Sequence, residues 1–468
     1  MLRHFFTNSA GILTSRILGF VRDLFMAASL GAGIWSDVFF VAFKLPNLFR
    51  RLFGEGAFSQ AFLPHFVKSN KKGLFLAEVL FKFSAFMLAF SLAVMLFAPL
   101  ITKLLAYGFN EASIALAAPL VRINFWYLLC IFIVTLLASV LQYRAHFATS
   151  AFSTALLNIA MISALLVAYN KPQSEVALYL SWGVVAGGLL QVSVHLIAIK
   201  KLGLWSIIYL GIAKYARGKR AKISGFYKNF AQGVLGASAA QLGDFASTLI
   251  ASFLASGAIS YLYYANRVFQ LPLALFAIAL SMAIFPKISK QIKAGNEELA
   301  KKLLQKGFNF LFALLMLASI GGFVLAEPII WLLFERGEFS AQNTKECAQV
   351  LQMCMLGLLP FGLYKLFSLW LYAHFKQGSA AKISLYSLFV NVGLCLVLFR
   401  PFGAAGIALA GSLSGFFILI CALWIFGVRE FARLSFNKIT LATLIISIIF
   451  GFLLYYLKAL LWPLANFS

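Results

Sequence analysis

The chain has 468 residues, 62% of them hydrophobic and 11% charged, with a mean hydropathy of +0.92. Soluble domains run at about 45–50% apolar and about 25% charged residues, and a water-facing fold of this length cannot hide so much apolar surface, so soluble classes are excluded and lipid is the solvent. The net charge of +25 would fit a nucleic-acid binder, but Lys and Arg fall mostly in short segments between apolar runs; that is the positive-inside pattern of a membrane protein, and no nucleic-acid partner is expected.

About thirteen apolar stretches approach the ~20 residues that a spanning helix needs. Their limits are 8–30, 36–56, 78–101, 119–142, 150–169, 177–199, 230–255, 260–285, 304–326, 347–373, 380–399, 404–427 and 439–461. The predicted fold class is therefore all-α, a polytopic membrane protein of about 13 transmembrane helices. The N-terminal stretch is interrupted by Arg16, Arg22 and Asp23 and has no clean apolar core before a cleavage site, so it reads as a helix and not as a cleaved signal peptide.

The first two stretches hold the most informative residues. The first carries Arg16, Arg22 and Asp23; the second carries Asp37, Lys44, Arg50, Arg51 and Glu55. A charge at mid-bilayer costs at least ~2.5–3.5 kcal/mol, so this density implies a water-filled or protein-lined interior. Asp37, Lys44 and Arg51 are seven apart and share a helix face, as do Arg16 and Asp23. Pro46-Asn47 predicts a bend beside them. Further along, Lys82, Arg122 and Lys365 stand singly and read as structural.

Residues 200–229 are basic and amphipathic, with Trp205, Ile207, Ile208, Leu210 and Ile212 as the apolar set. Two readings stand: an interfacial helix on an anionic leaflet, or an ordinary positive-inside loop. Beyond it, Asp244 lies amid Gln241, Ser247 and Thr248, where an acid either binds a cation or proton or pairs with an arginine. Arg267 precedes Pro272 by five residues.

An internal repeat relates the halves. Ser36-Asp37-Val38-Phe39-Phe40 resembles Ser260-Tyr261-Leu262-Tyr263-Tyr264, and residues 58–64 resemble 280–286, each ending in proline. The offset of 222–224 residues maps the second helix onto the eighth, which makes a six-helix unit. Six is even, so the units enter the membrane in the same direction, as parallel repeats with a substrate site between them. The predicted domains are 1–199, a first lobe; 200–229, the basic linker; 230–427, a second lobe; and 428–468, an additional C-terminal helix. With the N-terminus cytoplasmic, most loop cations lie on the inner side.

Arginine keeps its charge and offers planar, bidentate donors matched to phosphate oxygens. Arg16, Arg22, Arg50 and Arg267 facing one cavity call for an anionic guest. The competing reading is structural pairing, Arg22 with Asp37 or Arg51 with Glu55. No metal pair of histidines, zinc or disulfide spacing of the five cysteines, nucleophile motif or phosphate loop occurs, so catalytic residues, a metal and a cofactor are not expected.

The stretch Ser15-Arg16-Ile17-Leu18-Gly19-Phe20-Val21-Arg22-Asp23, followed by residues 37–62 (DVFFVAFKLPNLFRRLFGEGAFSQAF), closely resembles the MurJ (MviN) lipid II flippases of the multidrug/oligosaccharidyl-lipid/polysaccharide exporter superfamily. Tyr263-Tyr264-Ala265-Asn266-Arg267 with Leu271-Pro272 resembles that family's eighth-helix motif. The resemblance implies two six-helix lobes, a central cationic cavity and lipid II as the cargo, bound among membrane lipids. The family's cavity arginines fall on Arg16, Arg22, Arg50 and Arg267, and its cavity aspartate on Asp37. Two departures stand out: Asn266 occupies a position where many members have an acid, and one clear span follows the second lobe where the family has two.

The expected function is flipping of lipid II across the bacterial inner membrane by alternating access, without enzymatic chemistry. A monovalent cation or the membrane potential is the expected drive, with Asp244 as the ion-coupling candidate. An exporter of another polyprenyl-diphosphate oligosaccharide, or of a drug, is the near alternative. A polyprenyl-phosphate glycosyltransferase would need extramembrane acidic or metal-binding loops.

Overall fold

Lipid offers no water to satisfy N–H and C=O groups, so a chain of this composition must close its backbone hydrogen bonds within each segment. The computed structural model is accordingly helical, with no strand among the described residues. It describes residues 2–54 and 57–465, and their side chains apart from those of 2–9, 54, 57, 235–240 and 463–465.

In chain order the helices are α1 (Leu2–Leu30), α2 (Ile34–Gly54), α3 (Ala57–Lys68), α4 (Lys72–Leu96), α5 (Ala98–Leu105), α6 (Glu111–Asn124), α7 (Trp126–Tyr143), α8 (Ala148–Val167), α9 (Gln173–Lys201), α10 (Trp205–Ala216) and α11 (Ser224–Ala251). They continue as α12 (Ala258–Pro272), a π-helical turn (Leu273–Ile278), α13 (Ala279–Lys293), α14 (Glu297–Val324), α15 (Ala326–Phe334), α16 (Ala341–Leu356), α17 (Leu358–Ala373), α18 (Gln377–Phe426), α19 (Val428–Ser435) and α20 (Lys438–Ala465).

Among the described residues, nine helical stretches are long and apolar enough to cross a membrane. They cover ten of the thirteen expected spans, because α18 contains two. Its backbone breaks at Gly403 (φ 58°, ψ −138°), a conformation that glycine adopts without steric cost. The two arms then fold back on each other: Ser387 Oγ donates to the Ser414 carbonyl at 3.3 Å. The other three expected spans lie on α1, α2 and α11, whose charges and polar residues lower their hydropathy.

The chain forms two compact units, Met1–Gln241 and Leu242–Ser468, so the division falls within α11. In the first unit α1 lies along α8, α8 along α9, α2 against α6 and α7, and α4 against α7 and α10. The second unit repeats the plan: α12 lies against α16 as α2 does against α6, and α14 against α17 as α4 does against α7. Matching turns open α2 and α12. Asp37 N–H donates to Gly33 O at 3.0 Å, and Tyr261 N–H donates to Gly257 O at 2.8 Å. Ser36 and Ser260, at corresponding places, are both fully buried. The repeat read from the sequence is thus a repeat of structure.

The centre of the first unit is aromatic. Phe58 and Phe62 of α3 meet Phe53 of α2, Phe83 of α4, Phe132 of α7 and Phe226 of α11, with ring centroids 5.5–6.1 Å apart. Lipid tails are as apolar as these rings, so dispersion and edge-to-face geometry, not transfer from water, hold the cluster.

Segment 200–229 belongs to this unit. In α10, Ile208 and Gly211 are buried, while Trp205, Tyr209 and Leu210 are exposed. A Cβ on Gly211 would sit 2.0 Å from Gly73 O, so α10 crosses the start of α4 at backbone contact. The following turn is tied down as well. Tyr215 stacks on Phe81 with centroids 4.7 Å apart. The Ala221 N–H donates to Glu78 at 3.3 Å, and the other oxygen of that carboxylate pairs with Lys82 at 2.7 Å. Lys82, expected to be structural, has that role.

In the second unit the short amphipathic α19 turns the chain into α20. Phe431 meets Phe308 and Phe367, and Glu430 pairs with Lys301 at 3.0 Å. The Lys301 ammonium holds the Glu430 carboxyl below its ordinary range. α20 then lies along α14, with Trp462 edge-on to Trp331 and Lys458 paired with Glu327 at 3.4 Å.

Candidate functional site

The charges expected within spans divide between the units. Arg16, Arg22, Asp37 and Arg50 lie in the first; Asp244 and Arg267 lie in the second.

On α1, Arg16 is exposed and Arg22 is 7% exposed. Arg22 Nε and Nη2 both donate to Asp23 Oδ1, at 3.1 and 2.6 Å. Its Nη1 donates to Asn158 Oδ1 of α8 at 3.1 Å and lies 3.7 Å from the Met161 sulfur. Asp23 is 0% exposed. A buried pair of this kind offsets desolvation only through close geometry and further hydrogen bonds, and Asn158 supplies one. The sequence proposed Asp37 as a structural partner of Arg22; the adjacent Asp23 is an acid that its fork meets.

On α2, Asp37 is 2% exposed and stands in the first turn, where the unsatisfied N–H groups and the helix dipole favour a negative charge. The helix continues through Pro46 to Gly54. Asn47 Oδ1 accepts from Arg50 Nε at 3.0 Å and from Nη2 at 2.9 Å, so the residue after the proline sets the direction of the Arg50 fork. Arg51 Nη1 donates to Gln241 Oε1 at 3.0 Å. Glu55, expected as an alternative partner of Arg51, lies outside the described residues.

In the second unit, Arg267 lies over the Tyr263 ring, its guanidinium carbon 4.9 Å from the centroid, and Nη2 donates to the phenol oxygen at 2.7 Å. The π-helical turn Leu273–Ile278 follows directly after Pro272, and such turns commonly mark functional stretches of helix. Asp244 is exposed on α11, and Thr248 Oγ1 donates to its backbone carbonyl at 3.0 Å.

Three residues orient these cations: Asn158 went unremarked in the sequence, Asn47 was read only as part of a bend, and Tyr263 only as part of the repeat and the family motif. Asn47 and Tyr263 sit within four residues of the arginine they hold, so helical spacing was an available signal. Asn158 is 136 residues from Arg22; its signal was a neutral amide inside an apolar span. Among the described residues no group of His, Cys, Asp and Glu is placed to hold a metal ion.

Residues 26–465 match the family model of the lipid II flippase MurJ. The chain belongs to the MurJ family. It is 51% identical over 417 residues to the probable lipid II flippase MurJ of Helicobacter pylori strain J99, covering 87% of this chain and 91% of that one. The corresponding protein of Rhizobium meliloti is 34% identical over 431 residues, 89% of this chain and 78% of its own. A solved structure of a lipid II flippase MurJ in an inward closed conformation superposes with a TM-score of 0.79 at 25% identity, over 98% of this chain and 99% of that one. An inward-facing multidrug MATE transporter superposes at 0.69 with 11% identity, over 91% of this chain and 96% of its own, which speaks for the fold alone.

MurJ is a family of flippases, not of enzymes, and this member is a multi-pass membrane protein. The MurJ match runs through residue 465, so α20 lies within the family region. α20 is the one candidate span after α18 among the described residues, and α19, with eight residues, is too short to cross. Asn266 is half-buried beside Arg267.

Proposed function

We propose that this MurJ protein carries lipid II from the inner to the outer leaflet of the bacterial inner membrane by alternating access of its two six-helix lobes. The observation that carries the reading is the set of arginines on α1, α2 and α12, of which Arg22, Arg50 and Arg267 are oriented by an acid, an amide or an aromatic ring, in a chain 51% identical over most of its length to a probable lipid II flippase. Arg16, Arg22, Arg50 and Arg267 bind the diphosphate. Asp37, buried in the first turn of α2, completes the set of substrate-binding residues. The sugar–peptide head enters the cationic space while the polyprenyl tail stays in lipid, and rocking of the lobes presents the head outside.

The N-terminus is cytoplasmic in this scheme, because that orientation places most loop cations inside. Without a phosphate loop for a nucleotide, the drive is a monovalent cation or the membrane potential, the latter worth about 2.3 kcal/mol per charge per 100 mV. Asp244 is the coupling residue. Anionic head capture also fits other polyprenyl-diphosphate oligosaccharides, so the test is comparative. Proteoliposomes are loaded with lipid II or an O-antigen lipid, and headgroup exposure on the far side is followed in time. Protein-dependent exposure of lipid II, faster than that of the O-antigen lipid, is expected; the reverse order overturns the cargo assignment.

A further inference from the structure

The α1–α8 crossing carries a constraint on the arginines that the charges alone do not reveal. Gly11, Ser15, Gly19 and Arg22 are spaced four, four and three residues apart, so they share one face of α1. That face lies on α8. A Cβ on Gly11 would sit 2.7 Å from that of Ala151, and a Cβ on Gly19 would meet the Asn158 amide at 3.5 Å. The small residues bring the backbones close enough for one short side chain of α8 to reach α1 twice.

Asn158 does so. It is 7% exposed. Its Nδ2 donates to the Ser15 carbonyl at 3.0 Å, while its Oδ1 accepts from Arg22 Nη1 at 3.1 Å. The chemistry of the partners fixes the direction of the amide. Arginine only donates and a carbonyl only accepts, so the flipped amide would set donor against donor and acceptor against acceptor. Neither aspartate nor leucine reproduces both bonds. One side chain thereby sets the backbone turn immediately before Arg16 and the direction of the Arg22 guanidinium, about two helical turns apart.

We infer that Asn158 is the positioning residue for the α1 arginine pair, holding Arg16 and Arg22 in the register at which both meet one anionic group. It touches no substrate and acts through the two arginines. The inference rests on the diphosphate reading of those arginines. Three roles divide on α1 and α8: Asp23 compensates the charge of Arg22, the small residues permit the approach, and Asn158 selects the register. A hydrophobic residue of the same size would keep the crossing and release the register.

The test uses the full-length protein in proteoliposomes with lipid II, and compares Asn158→Leu, Asn158→Asp and Arg16→Ala with the wild type. Membrane abundance, thermal unfolding, maximal flipping rate and half-saturating lipid II concentration are measured for each. Leucine keeps the volume and loses both bonds; aspartate keeps the acceptor for Arg22 and sets a second acceptor against the Ser15 carbonyl. Abundance near wild type is expected for both Asn158 variants. The flipping efficiency of Asn158→Leu should fall about tenfold or more, because small misplacements of binding groups are costly. Asn158→Asp should fall less, and both losses should appear largely in the half-saturating concentration.

Wild-type flipping by Asn158→Leu, or a loss no larger than its loss of folded protein, overturns the inference. If leucine does not reach the membrane, aspartate carries the test alone, and its wild-type behaviour is equally fatal. Failure of both to accumulate also overturns it, in favour of a folding role. Arg16→Ala separates the levels. An impaired Arg16→Ala beside a silent Asn158→Leu leaves the diphosphate reading intact and removes the positioning role. A silent Arg16→Ala removes the diphosphate reading itself.

Discussion

Arg267 lies over the ring of Tyr263, one helical turn earlier, and also donates to the phenol oxygen at 2.7 Å. The ring and the hydroxyl make separable contributions. A cation over an aromatic face is worth about 0.5–1 kcal/mol when exposed and about 2 kcal/mol when desolvated. Tyr263→Phe keeps the ring and loses the hydrogen bond, so flipping should fall a few-fold at normal abundance. Tyr263→Ala loses both and should fall further. Equal rates for the two variants, measured in proteoliposomes, would show that the ring plays no part.

The α1 arginines should respond differently to removal. Arg16 is exposed, so Arg16→Ala should abolish flipping while folded protein stays at its wild-type level. Arg22 neutralises Asp23, which is 0% exposed. Removing that guanidinium costs about 3–5 kcal/mol if no other cation replaces it, so Arg22→Ala should lower membrane abundance as well as flipping. Arg→Lys at either position retains the charge without the planar fork and should be partly impaired. Quantitative immunoblots of membranes beside the transport assay separate the two effects.

At the crossing of α10 and α4, a methyl group on Gly211 has nowhere to go except into the Gly73 backbone. Gly211→Ala should destabilise the first unit by about 1–3 kcal/mol or more through overpacking. It should also loosen the turn held by Glu78, raising trypsin cleavage after Lys219 and Arg220. An unchanged thermal midpoint in detergent with unchanged proteolysis would mean that α10 is not held there.

Asp244 lies in the second unit, exposed on the polar stretch of α11. If it couples an ion to transport, Asp244→Asn should slow flipping and leave lipid II binding largely intact. The wild type should respond to the cation gradient, and the variant should not. The same gradient dependence in both proteins would reduce Asp244 to a structural acid.

Much of this architecture was legible in the composition and spacing of the residues. Thirteen apolar stretches became helix because an apolar backbone in lipid has few other ways to satisfy itself. The charged character of α1 and α2 stood out because a charge in hydrocarbon is costly enough to need a reason. The repeat was visible where prolines and serines recur at an offset of 222–224 residues, and the matching turns at Gly33 and Gly257 give it a structural basis.

Pattern specifies which face of a helix a residue occupies, but not which neighbour that face meets. The sequence therefore determined the membrane class, the approximate spans, the six-helix repeat and the presence of a cationic set on α1, α2 and α12. Only the tertiary structure decided that Arg22 shares its fork between Asp23 and an asparagine 136 residues away. It also decided that Glu78 holds a backbone amide 143 residues on, and that α10 docks on α4. These partners are mostly neutral amides, glycines and backbone groups, which carry no periodicity and no charge. They become visible only when the helices are brought within hydrogen-bonding reach.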